Sequence, residues 1–267
     1  MSDADRHRPR KRFGQHFLAD QGVIDEIVAL VAPAPGDRVL EIGPGQGVLT
    51  APLVASGAEV HAIEIDRDLA AMLRERFARH DNFALHNTDV LSFDFATLAA
   101  PPPRWKVVGN LPYNISTPLL MRLLEHAGRF SELVVMVQLE VAERLAAGPG
   151  SKAYGRLGIA AQRRAEVRKR FEIGPQAFVP PPKVDSAVVR LVPRSGARDA
   201  ALDLCVDALV KRAFGARRKT LANALRGVVS PDLLKACGIA AQARAEELAI
   251  DDFERLAARL VDTDIPS

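Results

Sequence analysis

Cysteine is nearly missing from this chain: of 267 residues only Cys205 and Cys237 are cysteines, and they lack a CxxC spacing. A disulfide framework and a structural zinc site are poor fits, and a reducing, cytoplasmic setting is the simplest expectation. Long apolar runs are missing too. The N-terminal stretch MSDADRHRPRKR is basic but leads into no apolar segment, so neither a secretory signal nor a membrane span is expected. Internal repeats and low-complexity tracts are absent beyond Ala-rich helices and Pro101 to Pro103, which read as a surface loop. No sign of charge dominates either: 36 Lys and Arg stand against 33 Asp and Glu, a formal +3 that is too small to imply a nucleic-acid partner. What is there is an ordinary globular balance of 48% hydrophobic and 26% charged residues, which excludes the disordered and collagen-like classes. At roughly 100 to 200 residues per domain, the length allows one large domain or a large and a small one.

The small total hides an uneven distribution. Residues 1–19 carry a net +3, residues 20–100 a net −8, residues 101–151 a net +1, residues 152–219 a net +10 and residues 220–267 a net −3. A polyanion is drawn to the basic middle and repelled by the acidic front. The run Arg163, Arg164, Arg168, Lys169 and Arg170 also has a plainer reading as a solvated helix-to-strand edge.

From Asp20, a helix N-cap, the spacing of Val23, Ile27, Leu30 and Val31 predicts a helix that Pro33, Pro35 and Gly36 end. Apolar runs at 38–43, 59–66, 83–89 and 105–111 predict strands, with helical patterns at 48–56, 67–79 and 116–126 between them. The nearly uniform apolar run at 131–140 reads as the centre of a parallel sheet covered on both faces. Such alternation predicts a doubly wound α/β sheet. EVRKRFEI and VDSAVVRLV predict an antiparallel pair at one sheet edge, and beyond residue 198 only amphipathic helices follow. The expected organisation is a basic N-terminal arm at 1–19, an α/β domain at 20–197 and a small all-helical domain at 198–267.

EIGPGQGVLT follows the first strand and opens a helix, the setting in which a glycine turn brings backbone against a ligand. Gly43, Gly45 and Gly47 make it GxGxG and leave the dinucleotide fingerprint incomplete. Glu64 ends the second strand, where a carboxylate can accept both hydroxyls of a ribose, and Asp89 ends the third, where one can accept from an adenine amino group. Acids at those two strand ends flank the turn at the edge where open α/β sheets bind ligands. They suit a cofactor with a cationic centre and no phosphate, so S-adenosylmethionine fits better than a dinucleotide.

GNLPYNIST follows the fourth strand. Asn110 offers a side-chain carbonyl, Leu111 a backbone carbonyl leading into Pro112, and Tyr113 a ring. An exocyclic adenine amine is a poor nucleophile because its lone pair is delocalised. Two acceptors on its N–H groups favour a more tetrahedral nitrogen, and a stacked ring holds the base in line with a methyl donor.

NLPY matches the Asn-x-Pro-Tyr/Phe signature of amino-group methyltransferases. Together with KRFGQHFL, EIGPGQGVLT, EIDRDLA, FVPPPKVDSAVV and FGARRKTLANAL it resembles the bacterial small-subunit ribosomal RNA adenine dimethyltransferase family, in order from residue 11 to 226. The resemblance implies a Rossmann-like class I S-adenosylmethionine-dependent methyltransferase sheet in the α/β domain and an RNA- and ribosome-docking role for the helical one. It implies that His16, at a position where many relatives have Asn, and Leu18 contact the cofactor. Gly43 and Gly45 would line the methionine part, Glu64 the ribose, Asp89 the adenine and Asn110 the transferable methyl. Asn110, Leu111, Pro112 and Tyr113 would grip the target amine, and Phe178 would close over the flipped base. From the positive charge of the middle segment, Arg217, Arg218 and Lys219 are expected to touch RNA. The reaction implied is dimethylation of two adjacent adenosines in the 3′-terminal hairpin of 16S rRNA within the immature 30S particle, by a monomer that needs no metal and releases S-adenosylhomocysteine. Alternatives are a resistance-type methyltransferase of large-subunit rRNA, a 30S assembly-checking factor with secondary catalysis and, more remotely, a DNA adenine methyltransferase or a nicotinamide dehydrogenase.

Overall fold

The computed structural model describes residues 15–99, 102–196, 199–216 and 218–263. Most of the expected basic arm, and Arg217, lie outside the described residues. Two compact units divide the chain: one holds residues up to 142 together with 165–193, the other 143–164 together with residues from 194 on.

In the first unit a two-residue strand β1 (Phe17–Leu18) precedes α1 (Gln21–Val31). Asp20 caps that helix by accepting from the Val23 N–H at 3.1 Å, and Ile24, Ile27 and Val31 form its buried stripe. The alternating body follows: β2 (Arg38–Ile42), α2 (Thr50–Ala55), β3 (Glu59–Ile63), α3 (Arg67–Arg76), β4 (Phe83–His86), β5 (Trp105–Asn110), α4 (Ser116–Glu125) and β6 (Phe130–Gln138). The helix α5 (Leu139–Ala146) crosses the boundary between the units, and α6 (Arg156–Arg164) lies beyond it. The chain then returns as β7 (Ala165–Ile173), the short β8 (Phe178–Val179) and β9 (Ser186–Pro193).

The large sheet runs β4-β3-β2-β5-β6-β9-β7. Strands β2 to β6 pair in parallel, whereas β9 is antiparallel to both β6 and β7. The expected antiparallel pair therefore stands at the sheet edge, with β7 outermost and mostly exposed along its length. Leu133 to Val137 of β6 are all buried, as a strand covered on both faces requires. The strand order reverses between β2 and β5, and such a switch point opens a crevice at the carboxyl ends of the strands.

Two boundaries differ from the sequence expectation. Residues 15–19, assigned to the arm, belong to the α/β unit: Phe17 pairs with Val179 and Leu18 with Phe178 in a separate two-stranded sheet. Strands this short carry no periodicity. The helical unit also takes 143–164, which the expected cut at 197/198 left with the sheet. Tyr154 and Ile159 of that segment belong to the helical core with Val206, Leu209 and Phe253, and the Tyr154 hydroxyl donates to the Leu248 carbonyl at 2.9 Å. Arg163 is 5% exposed and ion-paired to Asp203 at 2.8 Å and Glu254 at 2.9 Å, so it is part of this core's polar frame and not an open binding surface. The unit is completed by α7 (Ala200–Gly215), α8 (Leu221–Ala224), α9 (Pro231–Ala236) and α10 (Ile250–Thr263).

Candidate active site

A cavity of about 260 Å³ opens at the carboxyl ends of β2, β3 and β5, and every segment lining it belongs to the α/β unit. Gly43 and Gly45 form the turn after β2 with φ of +65° and +57°, the left-handed region a side chain disfavours. Gly45 places its N–H 3.2 Å from Oε2 of Glu64, and a Cβ there would stand 3.0 Å from the Phe17 ring. Gly47 serves packing: a Cβ at that position would overlap Leu73 of α3 at 2.8 Å.

Glu64 lies just past β3, 5% exposed, and its second oxygen accepts from the Asp66 N–H at 2.9 Å. Burial raises its pKa, and the backbone donors of Asp66 and Gly45 work against that rise. Asp89 lines the same cavity in a turn, its Oδ1 accepting from the Leu91 N–H at 2.9 Å. Glu41, which opens the EIGPGQGVLT string, is a site residue to which the sequence assigns no role. It lines the same cavity, is 1% exposed and accepts from the Thr50 hydroxyl at 2.7 Å. Burial pushes its pKa from 4.5 up to about 7, a rise that the Thr50 hydrogen bond opposes and the nearby Glu64 charge increases. Its only sequence signal is an acid two residues before the first glycine of the turn.

At the other end of the cavity, Asn110 ends β5. Its Nδ2 donates to the His16 carbonyl at 2.9 Å, while its Oδ1 is buried without a partner. The Leu111 N–H donates to the Met136 carbonyl at 3.0 Å and the Ile115 N–H to the Pro112 carbonyl at 3.1 Å, fixing the NLPY corner on β6. Tyr113 is half-buried; its ring stacks on that of His16 with centroids 5.7 Å apart and planes 24° apart. Burial raises the pKa of the Tyr113 hydroxyl, which shares a 2.6 Å hydrogen bond with Ser186.

The structure brings together His16, Leu18, Gly43, Gly45, Glu64, Asp89 and the Asn110 to Tyr113 corner, and leaves Phe178 out. Phe178 is 2% exposed and packs in the core with Leu18, Ile24 and Ile173. Alternation along β8 turns its neighbour Val179 outward, so the Phe178 ring has no free face for a base. Arg218 and Lys219 are exposed after α7, in the helical unit. The basic run at 163–170 is largely engaged locally, with Arg168 on Glu166 and Lys169 on Glu172.

The carboxylates of Glu64 and Asp89, apolar walls and a buried carbonyl oxygen without a protein partner suit a nucleoside that carries a positive charge and hydroxyls; a pyrophosphate would meet repulsion. This sheet order, glycine turn and NLPY corner define a Rossmann-like S-adenosylmethionine-dependent methyltransferase. The family model described as Ribosomal RNA adenine dimethylase matches residues 6–262, and the chain belongs to that family. It is 49% identical over 263 residues to the Ribosomal RNA small subunit methyltransferase A of Pseudomonas putida, covering 98% of each chain. Among solved structures, a dimethyladenosine transferase from Plasmodium falciparum superposes with a TM-score of 0.81 at 27% identity, covering 94% of this chain and 99% of that one. The 23S rRNA methyltransferase ErmE gives 0.71 at 29% identity, covering 92% and 99%. Among the described residues no helix is long and apolar enough to cross a membrane.

Proposed function

We propose that the protein dimethylates the exocyclic amine of two adjacent adenosines in the 3′-terminal hairpin of 16S rRNA, acting as a cytoplasmic monomer on the immature 30S particle late in small-subunit assembly. The observation that carries this reading is the buried, unpartnered Oδ1 of Asn110 in the cavity that Tyr113, Glu64 and Asp89 also line. Nearly full-length 49% identity to a small-subunit enzyme supports that substrate over the large-subunit one, for which the solved relative stands at 29%.

When bound, S-adenosylmethionine supplies an electrophilic methyl group on a sulfonium and leaves as S-adenosylhomocysteine. Glu64 would hold the ribose, Asp89 the adenine amine, and the Gly43 to Gly45 backbone the methionine part, with His16 and Leu18 closing that wall. Asn110 Oδ1 and the Leu111 carbonyl accept from the target amine and draw its lone pair out of the ring. Tyr113 stacks the base in line with the methyl group. A strong base is not needed, because a methylated amine is acidic and loses its proton to water. Stacking on one ring contributes about 1 to 3 kcal/mol, against a few kcal/mol to extrude a base. With Phe178 in the core, Tyr113 carries that load, and the remainder must come from the amine contacts.

Purified protein incubated with labelled S-adenosylmethionine and unmethylated 30S or 50S particles is expected to label the 30S alone. Labelling of the 50S alone would transfer the reading to the large-subunit class.

A further inference from the structure

Tyr113 is held from three directions. Its backbone carbonyl accepts from the Ser116 hydroxyl at 3.3 Å. One ring face meets His16, which is itself tied through Nδ1 to the Pro180 carbonyl at 2.8 Å. Its hydroxyl meets Ser186 Oγ at 2.6 Å. Ser186 is fully buried at the start of β9, opposite Gln138 of β6 on one side and Ile173 of β7 on the other. An oxygen on an interior strand of a seven-stranded sheet is a fixed anchor, whereas the corner carrying Tyr113 is a turn.

The ring separation decides which face of Tyr113 is used. A base inserted between two rings needs about 7 Å, twice the ~3.4 Å stacking rise of nucleic acids. The His16 and Tyr113 centroids are 5.7 Å apart, too close for that. A target base therefore stacks on the opposite face, and His16 backs the ring.

We propose that Ser186 is a positioning residue for methyl transfer, fixing the tilt of the Tyr113 ring through the shared hydrogen bond while His16 supports its rear face. The inference rests on the reading of Tyr113 as the platform for the target base. A small tilt of the platform moves the amine away from Asn110 Oδ1 and off the line of transfer, and misplacement of this kind costs rate and not cofactor affinity.

The test is a double-mutant cycle of Ser186→Ala and Tyr113→Phe, which remove the same bond from either side, with Tyr113→Ala as control. Single-turnover methylation of 30S particles, the ratio of monomethyl to dimethyl adenosine, cofactor affinity by calorimetry and melting temperature are measured for each. Both single variants are expected to slow transfer about tenfold and to accumulate monomethyl product, with cofactor affinity held within about twofold. The double variant should be no slower than either single one. Multiplying effects, unchanged rates, or a loss that tracks cofactor affinity and melting temperature would each overturn the role of Ser186. If Tyr113→Ala itself keeps full activity, the platform reading fails instead, and the two failures are distinguished.

Discussion

Glu64 is committed before any ligand arrives: both its oxygens already accept backbone N–H groups, which aims the carboxylate at the cavity. Glu64→Ala is expected to weaken cofactor binding by about 2 to 3 kcal/mol, roughly thirty- to over a hundredfold by calorimetry, because hydrogen bonds to a charged group are removed. Glu41 makes a different prediction, in stability. Its folded pKa of about 7 lies above its ordinary 4.5, so the folded protein holds a proton that the unfolded chain has released between those values. The stability it contributes is full below pH 4.5 and is lost as pH rises through 7. Glu41→Gln stays neutral and escapes that loss, so above pH 7 its stability should exceed the parent's by something on the order of 3 kcal/mol; denaturant titrations at pH 5 and 8 check this. At this scale the sequence showed Glu64, Asp89, Asn110 and Tyr113, because each sits at a strand end or in a motif. It hid Glu41, whose side chain reads as strand interior, and Ser186, whose partner is 73 residues away. It misplaced Phe178, because the facing of a two-residue strand cannot be read from its own residues.

Among the elements, β5 depends on Gly109, which opens the GNLPYNIST string without a role of its own being assigned to it. A Cβ on Gly109 would sit 2.3 Å from the Ile42 carbonyl oxygen of β2, so the strands meet closely one residue before Asn110. Gly109→Ala should cost about 1 to 3 kcal/mol in a urea titration and lower methylation as well, since relief of the overlap shifts Asn110. The β3–β4 pair carries a histidine contact, with His86 Nε2 and His61 Nδ1 3.2 Å apart. Burial lowers both pKa values, and His86 lowers that of His61 further. The unfolded chain takes up these protons first, so their contribution is present above pH 6.5 and is lost as pH falls below it. In the Glu41→Gln background, where one opposing titration is silent and that of Glu64 is common to both proteins, His86→Leu should lose less melting temperature than its parent between pH 7.5 and 5.5. The long elements were legible because 3.6- and 2-residue periods and glycine turns are local signals. The β1–β8 pair was not, since its register joins residues 17–18 to 178–179.

For the whole molecule, the near-neutral total conceals an acidic α/β front and a basic middle, and the structure divides that middle into used and available charge. Arg163 and Arg164 are engaged with Asp203, Asp207 and Glu254, whereas Arg218 and Lys219 are exposed. Neutralising Arg217, Arg218 and Lys219 together should weaken 30S binding and flatten its log–log salt dependence by roughly 0.7 to 0.9 for each phosphate that is no longer neutralised. An unchanged slope would make these charges structural. The unit boundary was the least legible feature at this scale, because 143–164 reads as one more helix after a strand and only tertiary packing assigns it to the helical core. Above all, the Asn110 and Tyr113 end of the cavity is held to dimethylate small-subunit rRNA. Mass spectrometry of 16S rRNA fragments, from unmethylated 30S particles treated with the protein and S-adenosylmethionine, decides this. Dimethyladenosine is expected at two adjacent positions of the 3′-terminal hairpin, and none with Asn110→Ala. Unmodified adenosines there after treatment with the unaltered protein, or full modification by the Asn110 variant, would contradict that role.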